Sequence, residues 1–318
     1  MTRFAWVATL LWALVSSGAN AQVGDFPSKP IRVIVGFAAG SGADSTARLV
    51  AEQMQRTLGQ SVLVENKPGA SGAIAVQHVK AQPADGHTLL LASYSPMSVN
   101  PIVMKNPGYD SVNDFKAVHG LVRSATAWFV ANESPLRTIG DLIAAGKRKP
   151  LTVGSYGAGY QLSIAWLANL TGSQLTYLPY KGQGQVVTDV IGGQIDAGAG
   201  DLGGVMALIQ SGKLRALAVA SDKRLSGLPN VPTIMETQPG YENYGWTSLF
   251  VRAETPPAAH AKLVDAVRKA MASRETLDYL EARNSVALNL GPDEMGKYLR
   301  DEIARFRRVA EAAGIKPE

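Results

Sequence analysis

The chain contains no cysteine, which excludes disulfide staples, thiol nucleophiles and thiolate metal sites together. Its 318 residues must therefore rely on a hydrophobic core. Histidine is scarce as well: His78, His87, His119 and His260 are scattered, and none falls in H-E-x-x-H or another metal-ligand spacing. There is no G-x-S-x-G nucleophile elbow and no G-K-[ST] phosphate loop. Charge of either sign is limited, with 31 Lys and Arg against 26 Asp and Glu and a net +5. The densest basic clusters, Lys147–Lys149 and Arg305/Arg307/Arg308, read as solvated faces, so no nucleic-acid partner is expected. An apolar run long enough to span a membrane is also missing.

The one sustained apolar segment, Phe4–Val15, follows the single charge of Arg3 and gives way to Ala19-Asn20-Ala21. That order reads as a secretory signal peptide over residues 1–21, cleaved after Ala21. It predicts an exported, soluble mature chain. With no cysteine after the signal, a lipid-modified N-terminus is excluded.

From Lys29 onward, buried-strand runs alternate with helical patterns. Ile31–Val35 predicts a strand, and Ala47, Val50, Ala51, Met54 and Leu58 predict a helix ending at Gly59. Strands over Ser61–Glu65 and His87–Ala92 flank a helix over Gly72–Lys80. The alternation restarts at Leu151–Ser155 and continues through strands near 175–178, 194–199 and 214–220. This is an α/β pattern with a largely parallel sheet, in two domains joined near 120–127 and again near 245–250. The C-terminal helices, the last opening at Gly291-Pro292-Asp293-Glu294, are expected to return to the first domain.

Two glycine-rich turns follow the first strand of each domain: Val35–Arg48, VGFAAGSGADSTAR, and Gly154–Tyr160, GSYGAGY. Backbone N–H groups at such strand-to-helix turns suit a carboxylate, phosphate or sulfate. The first turn lacks the third glycine of G-x-G-x-x-G and has no lysine, which argues for a carboxylate over a polyphosphate. Asp44 stands where it would cap the helix or orient ligand-bound water, and both readings stay open. Helix ends from two domains could meet one anion.

The ordered segments FPSKPI (26–31), GFAAGSGAD (36–44) with Ala47-Arg48, VENKPGASG (64–72) and PADGHTLL (83–90) add a further clue. PYKG (179–182), GGQID (192–196), GKLRALAV (212–219), PNVPT (229–233) and Trp246 complete the set. Together they resemble the extracytoplasmic solute receptors of tripartite tricarboxylate transporters, the Bug family, from about Phe26 to Ile315. The resemblance implies a two-domain periplasmic binding protein fold (type II), with the ligand cleft between two lobes joined by a two-segment hinge. Residues 22–123 plus 249–318 would form lobe 1 and residues 124–248 lobe 2.

It also implies a periplasmic receptor, not an enzyme, that captures a small carboxylate-bearing organic acid. The receptor would act as a monomer, without cofactor or metal, and deliver the acid to a membrane permease of a large and a small subunit. A ligand-sensing receptor for a signalling partner and a secreted enzyme on the same fold are the alternatives. The implied ligand-binding residues are Phe37, Ala39, Gly40, Ser41, Gly42 and Asp44 in the first turn. Ser155, Tyr156, Gly157, Ala158 and Gly159 are their counterparts in the second, with Ser93, Tyr94 and Asp201 added by position. Ala38-Ala39 replaces a proline common in relatives, and Tyr160 replaces a small hydroxyl residue. An acid at 201 would repel a second ligand carboxylate.

Overall fold

The computed structural model describes residues 26–241 and 243–317. The expected signal segment, residues 1–21, lies outside the described residues.

The first part of the chain runs β1 (Ile31–Val35), α1 (Gly42–Leu58), β2 (Val62–Asn66), α2 (Ala73–Lys80) and β3 (Thr88–Ser93). A π-helical turn over Ser95–Val99 leads into α3 (Asn100–Val103), and the long β4 (Phe115–Ala131) follows. The middle part holds α4 (Ile139–Arg148), β5 (Leu151–Ser155), α5 (Ala158–Thr171), β6 (Leu175–Pro179) and α6 (Gln183–Ile191). It closes with β7 (Ala197–Asp201), α7 (Leu202–Gln210) and β8 (Leu214–Val219). Then come β9 (Tyr244–Arg252), α8 (Pro257–Met271), α9 (Arg274–Ala282), β10 (Val286–Ala287) and α10 (Pro292–Ala312).

The strands form two sheets that share β4. In the first, ordered β2-β1-β3-β9-β4, β1 lies parallel to β2 and β3, while β9 is antiparallel to both β3 and β4. In the second, β5 is parallel to β6 and β7, and β7 and β8 are antiparallel to β4. Residues Phe115–Ala125 of β4 pair with β9, and Thr126–Ala131 pair with β7 and β8. The strand therefore changes sheet between Ala125 and Thr126. At about 3.3 Å per residue its 17 residues reach roughly 55 Å.

The parallel units are those the alternation of the sequence predicts, but β4 and β9 make the sheets mixed. Both strands are buried along most of their length. Their residues lack the apolar–polar alternation that would have marked them, and no periodicity encodes strand direction. β9 pairs in the first sheet along its whole length, so residues 244–248, read from the sequence with the second lobe, are hydrogen-bonded to the first.

Core packing follows the sheets. Ile31, Ile34 and Leu90 pack with Leu263, Val267, Met295 and Phe306 in one buried cluster, so α8 and α10 do return to the first sheet. In the second sheet, neighbours Trp128 and Phe129 point to opposite faces, as pleating requires. Trp128 joins Val153, Leu167 and Leu217 on one face, and Phe129 joins Val186, Leu202 and Val205 on the other. Tyr156, Tyr160 and Leu162, at the start of α5, belong to the first cluster. The two lobes thus share apolar packing.

Gly198 in β7 admits no side chain, because a Cβ there would overlap the Phe129 ring. Overpacking of this kind costs about 1–3 kcal/mol. Gly198→Ala is expected to lower the urea midpoint accordingly with an unchanged m-value; a midpoint equal to that of the native chain would contradict this packing.

Candidate functional site

The site begins with the turn between β1 and α1. Ser41 is the N-cap of α1 and accepts a hydrogen bond from the Asp44 N–H at 3.2 Å. Asp44 is therefore not the cap, as its position had suggested, but the third residue of the helix. Its carboxylate folds back to accept from the Gly40 N–H (2.9 Å), from Arg48 Nε (3.0 Å) and from Asn66 Nδ2 (2.9 Å). Asn66 Nδ2 also reaches the Phe37 carbonyl at 3.0 Å. Burial pushes the Asp44 carboxyl up, but the bonds from Arg48, Gly40 and Asn66 outweigh that and hold it below its ordinary value. The network fixes the turn from behind.

In front of the turn lies a small cavity of about 60 Å³ between the lobes. At about 10–15 Å³ per water-sized group, it has room for a handful of them. Phe37, Gly42, Ala43 and Thr46 form one wall. Gly42 and Ala43 are the first residues of a 17-residue helix, so their N–H groups have no intrahelical acceptor. Ser93, Tyr94 and Ser95 come from the end of β3 and the turn after it. Val122, Ser124, Gly245, Trp246 and Thr247 come from β4 and β9, and Tyr279, Arg283 and Ser285 from the end of α9 onward. The second lobe contributes Tyr156, Tyr160 and Asp201.

Two hydroxyls in this wall, those of Ser93 and Thr247, are buried without a hydrogen-bond partner in the protein, while those of Ser124 and Tyr94 lie against Asp201 and Asn243. A buried hydroxyl left unmatched costs about 1–3 kcal/mol, and native structures hold few such groups. Two such groups in one cavity, beside the free N–H end of α1, mark it as a place for polar atoms.

The second glycine-rich turn behaves differently from the first. The Gly159 N–H at the start of α5 donates to Ser95 Oγ of the first lobe at 3.1 Å. A Cβ on Gly159 would overlap the Tyr94 ring. Ser155 donates its hydroxyl to the Ala199 carbonyl and is fully buried. Tyr156 and Tyr160, rather than the turn's backbone, face the cavity; their rings lie 4.9 Å apart, with Tyr156 edge-on to Phe37 at 5.7 Å. The Tyr156 hydroxyl donates to Gln183 Oε1 (2.8 Å), and Gln183 in turn bonds both backbone groups of Asp201 (2.7 and 3.1 Å).

Asp201 caps α7, accepting from the Gly204 N–H at 3.0 Å. Its carboxylate stands across the cleft from α1: a Cβ on Gly42 would lie 2.8 Å from Asp201 Oδ2. Burial pushes its carboxyl above the ordinary value, against the nearby Ser124 hydroxyl, the Arg283 charge and the Gly204 and Gly203 N–H groups. Arg283 donates to the Gly203 carbonyl at 3.1 Å and lies 4.5 Å over the Tyr279 ring.

Of the residues singled out in the sequence, Phe37, Gly42, Ser93, Tyr94, Tyr156 and Asp201 line the cavity. Ala39, Gly40, Ser41, Asp44, Ser155, Ala158 and Gly159 do not line it, Ala39 and Gly40 being exposed, and Gly157 lines an outer groove of about 510 Å³ with Tyr180 and Lys181. The Lys181 carbonyl there accepts from the Ala38 N–H at 3.4 Å, joining the lobes. Sequence reading missed Ser124, Thr247 and Arg283 as site residues. A serine or threonine within a strand carries no local mark, and the turn after α9 held no motif. No group of three or more metal-ligating side chains occurs among the described residues.

Comparison with known proteins places this geometry in context. Residues 46–315 match the model of the tripartite tricarboxylate transporter family receptor. The Protein BugT of Bordetella pertussis is 31% identical over 325 residues, covering 99% of this chain and 99% of that protein. The structure of the periplasmic binding protein BugD superposes with a TM-score of 0.88 at 28% identity, over 92% of this chain and 100% of that one. Rpa4515 of R. palustris, solved with adipate, gives a TM-score of 0.88 at 30% identity, over 92% of this chain and 100% of that one.

The Asp44 network has a pH signature. Because the folded carboxyl titrates below its ordinary value, its contribution is complete above about pH 4 and is lost as pH falls through the folded pKa. Asp44→Asn is expected to cost about 1–3 kcal/mol near neutral pH. The gap to the native chain should close on acidification. Melting temperatures measured across the acid range check this, and a gap independent of pH would remove the carboxylate from the account.

Proposed function

The chain is a solute-binding receptor of the tripartite tricarboxylate transporter family, and we propose that it captures a small carboxylate-bearing organic acid between its lobes. In this reading it works as a periplasmic monomer and hands the acid to a membrane permease of a large and a small subunit. The observation that carries the reading is the interlobe cavity, where the free N–H end of α1 shares the wall with the unpartnered buried hydroxyls of Ser93 and Thr247. A carboxylate there would accept from both sets of donors, with the positive end of the helix dipole favouring its charge. The adipate in Rpa4515 supports an acid as the ligand class.

The division read from the sequence, residues 22–123 plus 249–318 against 124–248, puts the second boundary inside β9, and the hinge is instead set in β4 and before β9. The change of sheet at Ala125/Thr126 supports the first crossing, and the pairing of β9 favours a second crossing just before Tyr244. Closure about these strands would bring Asp201 and Tyr156 over the end of α1 and exclude water, strengthening each charge–dipole contact. The match to a family of solute receptors supports binding rather than turnover.

Two measurements test the reading. A carboxylate ligand at 100 times its dissociation constant is expected to stabilise the protein by about 2.7 kcal/mol, seen as a raised melting temperature. Its amide is expected to give no shift; equal shifts from acid and amide would rule out a carboxylate cradle. Gly42→Ala adds a methyl 2.8 Å from Asp201 Oδ2 and should weaken acid binding about tenfold, roughly 1.4 kcal/mol, with the fold intact.

A further inference from the structure

Where the chain crosses between lobes, the two crossings and the end of β8 are tied to one another. The Thr126 N–H donates to the Asn243 carbonyl (3.1 Å), the Asn243 N–H to the Ala220 carbonyl (2.9 Å) and the Ala220 N–H to the Thr126 carbonyl (2.8 Å). Asn243 Nδ2 adds a bond to Thr126 Oγ1 at 3.1 Å. This ring of bonds lies where β4 changes sheet and just ahead of β9. Side chains span the same junction. Arg123 stands on the first-sheet part of β4, and Tyr244, which pairs with Ala125, opens β9 beside it. The Arg123 guanidinium lies 3.6 Å from the centre of the Tyr244 ring. The Tyr244 hydroxyl donates to Asp222 Oδ1 at 2.5 Å and accepts from the Asp222 N–H at 3.1 Å. Asp222 follows Ala220 and Ser221 out of β8, so it belongs to the second sheet. None of the three residues lines the interlobe cavity.

We propose that Arg123, Tyr244 and Asp222 form a hinge latch: the bond between Tyr244 and Asp222 is made with the lobes together and breaks as they part. The fold itself, apart from any ligand, then sets the fraction of receptor that stands closed. Tyr244 is held in the first sheet on both edges of β9, while Asp222 travels with β8 in the second. Rotation about the backbone ring at Thr126 and Asn243 therefore carries the Asp222 loop away from the phenol tip. The bond runs in both directions, and its acceptor is a carboxylate, which makes it stronger than a neutral pair. Arg123 over the ring draws charge from the phenol and improves its hydroxyl as a donor. Burial and the adjacent carboxylate hold the Tyr244 phenol above its ordinary value, and the phenol holds Asp222 below its own, so donor and acceptor keep these forms through neutral pH. Ligand affinity scales with the fraction of receptor in the binding-competent arrangement, so a latch at the hinge tunes affinity without touching the ligand.

Amide hydrogen exchange tests the latch without a ligand, on the full mature protein unfolded and refolded to free it of host metabolites. The reporter is the Gly159 N–H, which is buried beneath Tyr94 and bonded to Ser95 of the opposite lobe, so it meets water when the lobes part. Where exchange follows the opening equilibrium, its rate is proportional to the opened fraction, however small that fraction is. Tyr244→Phe keeps the ring and its contact with Arg123 and removes only the hydroxyl. It is expected to speed Gly159 exchange about fivefold, the weight of one net hydrogen bond. The amides of Val33 in β1 and Val153 in β5, inside the two sheets, are expected to keep their native rates. Asp222→Ala is expected to act as Tyr244→Phe does, and the double variant to exchange no faster than either single one, because both remove the same bond. An unchanged Gly159 rate in Tyr244→Phe, or one that changes only in step with Val33 and Val153, would overturn the latch. So would a double variant in which the two accelerations multiply. None of these outcomes bears on which ligand the cavity takes.

Discussion

The architecture depends on one strand. Every backbone N–H and carbonyl buried away from water must find a partner, and β4 meets that demand by spending its longer first part in one sheet and its last six residues in the other. The crossing between lobes is therefore a hydrogen-bonded strand rather than a loose linker. The other crossing leads into β9, which is held on both edges, by β3 and β4. The hinge proposed above falls at the few residues where pairing changes sheet. Ser124 and Thr247 stand on these same strands, so the floor of the cavity is fixed by the element that joins the lobes.

Around that floor the lobes meet through aromatic packing and a few polar contacts. Tyr94 of the first lobe fills the space left by the missing side chain of Gly159 in the second. Ser95 gives its oxygen to the Gly159 N–H, so the first turn of α5 is capped from the opposite lobe. That bond makes the two glycine-rich turns unequal. The end of α1 faces the cavity with free donors, whereas α5 uses its own to register one lobe against the other. Gln183 ties Tyr156 to the backbone of Asp201, coupling the two second-lobe walls of the cavity.

Charge within the site is arranged by the same economy. Asp44 is buried but answered by Arg48, Asn66 and a backbone N–H, and its carboxyl is held low. Asp201 also has partners, in Ser124, Arg283 and the Gly203 and Gly204 N–H groups, but it is enclosed deeply enough that burial prevails and pushes it up. Two carboxylates near the end of one helix thus differ in role: one builds the turn and the other borders the space in front of it.

Much of this was legible in the residues. Gly59 does end α1 with φ of 67°, Gly291-Pro292 does open α10, and the strand–helix alternation marks the parallel units of both lobes. The Bug-type segments, read in order, identified the fold and the family. The roles of Ser41 and Asp44 were not legible, because a capping oxygen and a carboxylate that folds back occupy the same short turn. Nor were Ser124, Thr247 and Arg283, whose importance comes only from what stands across from them. By itself, then, the sequence determined the local elements, the kind of fold and the class of receptor, since periodicity and turn chemistry act between near neighbours. Only the tertiary structure decided which donors remain free. That depends on contacts such as Ser95 to Gly159 and Gly42 to Asp201, made between residues 64 and 159 positions apart.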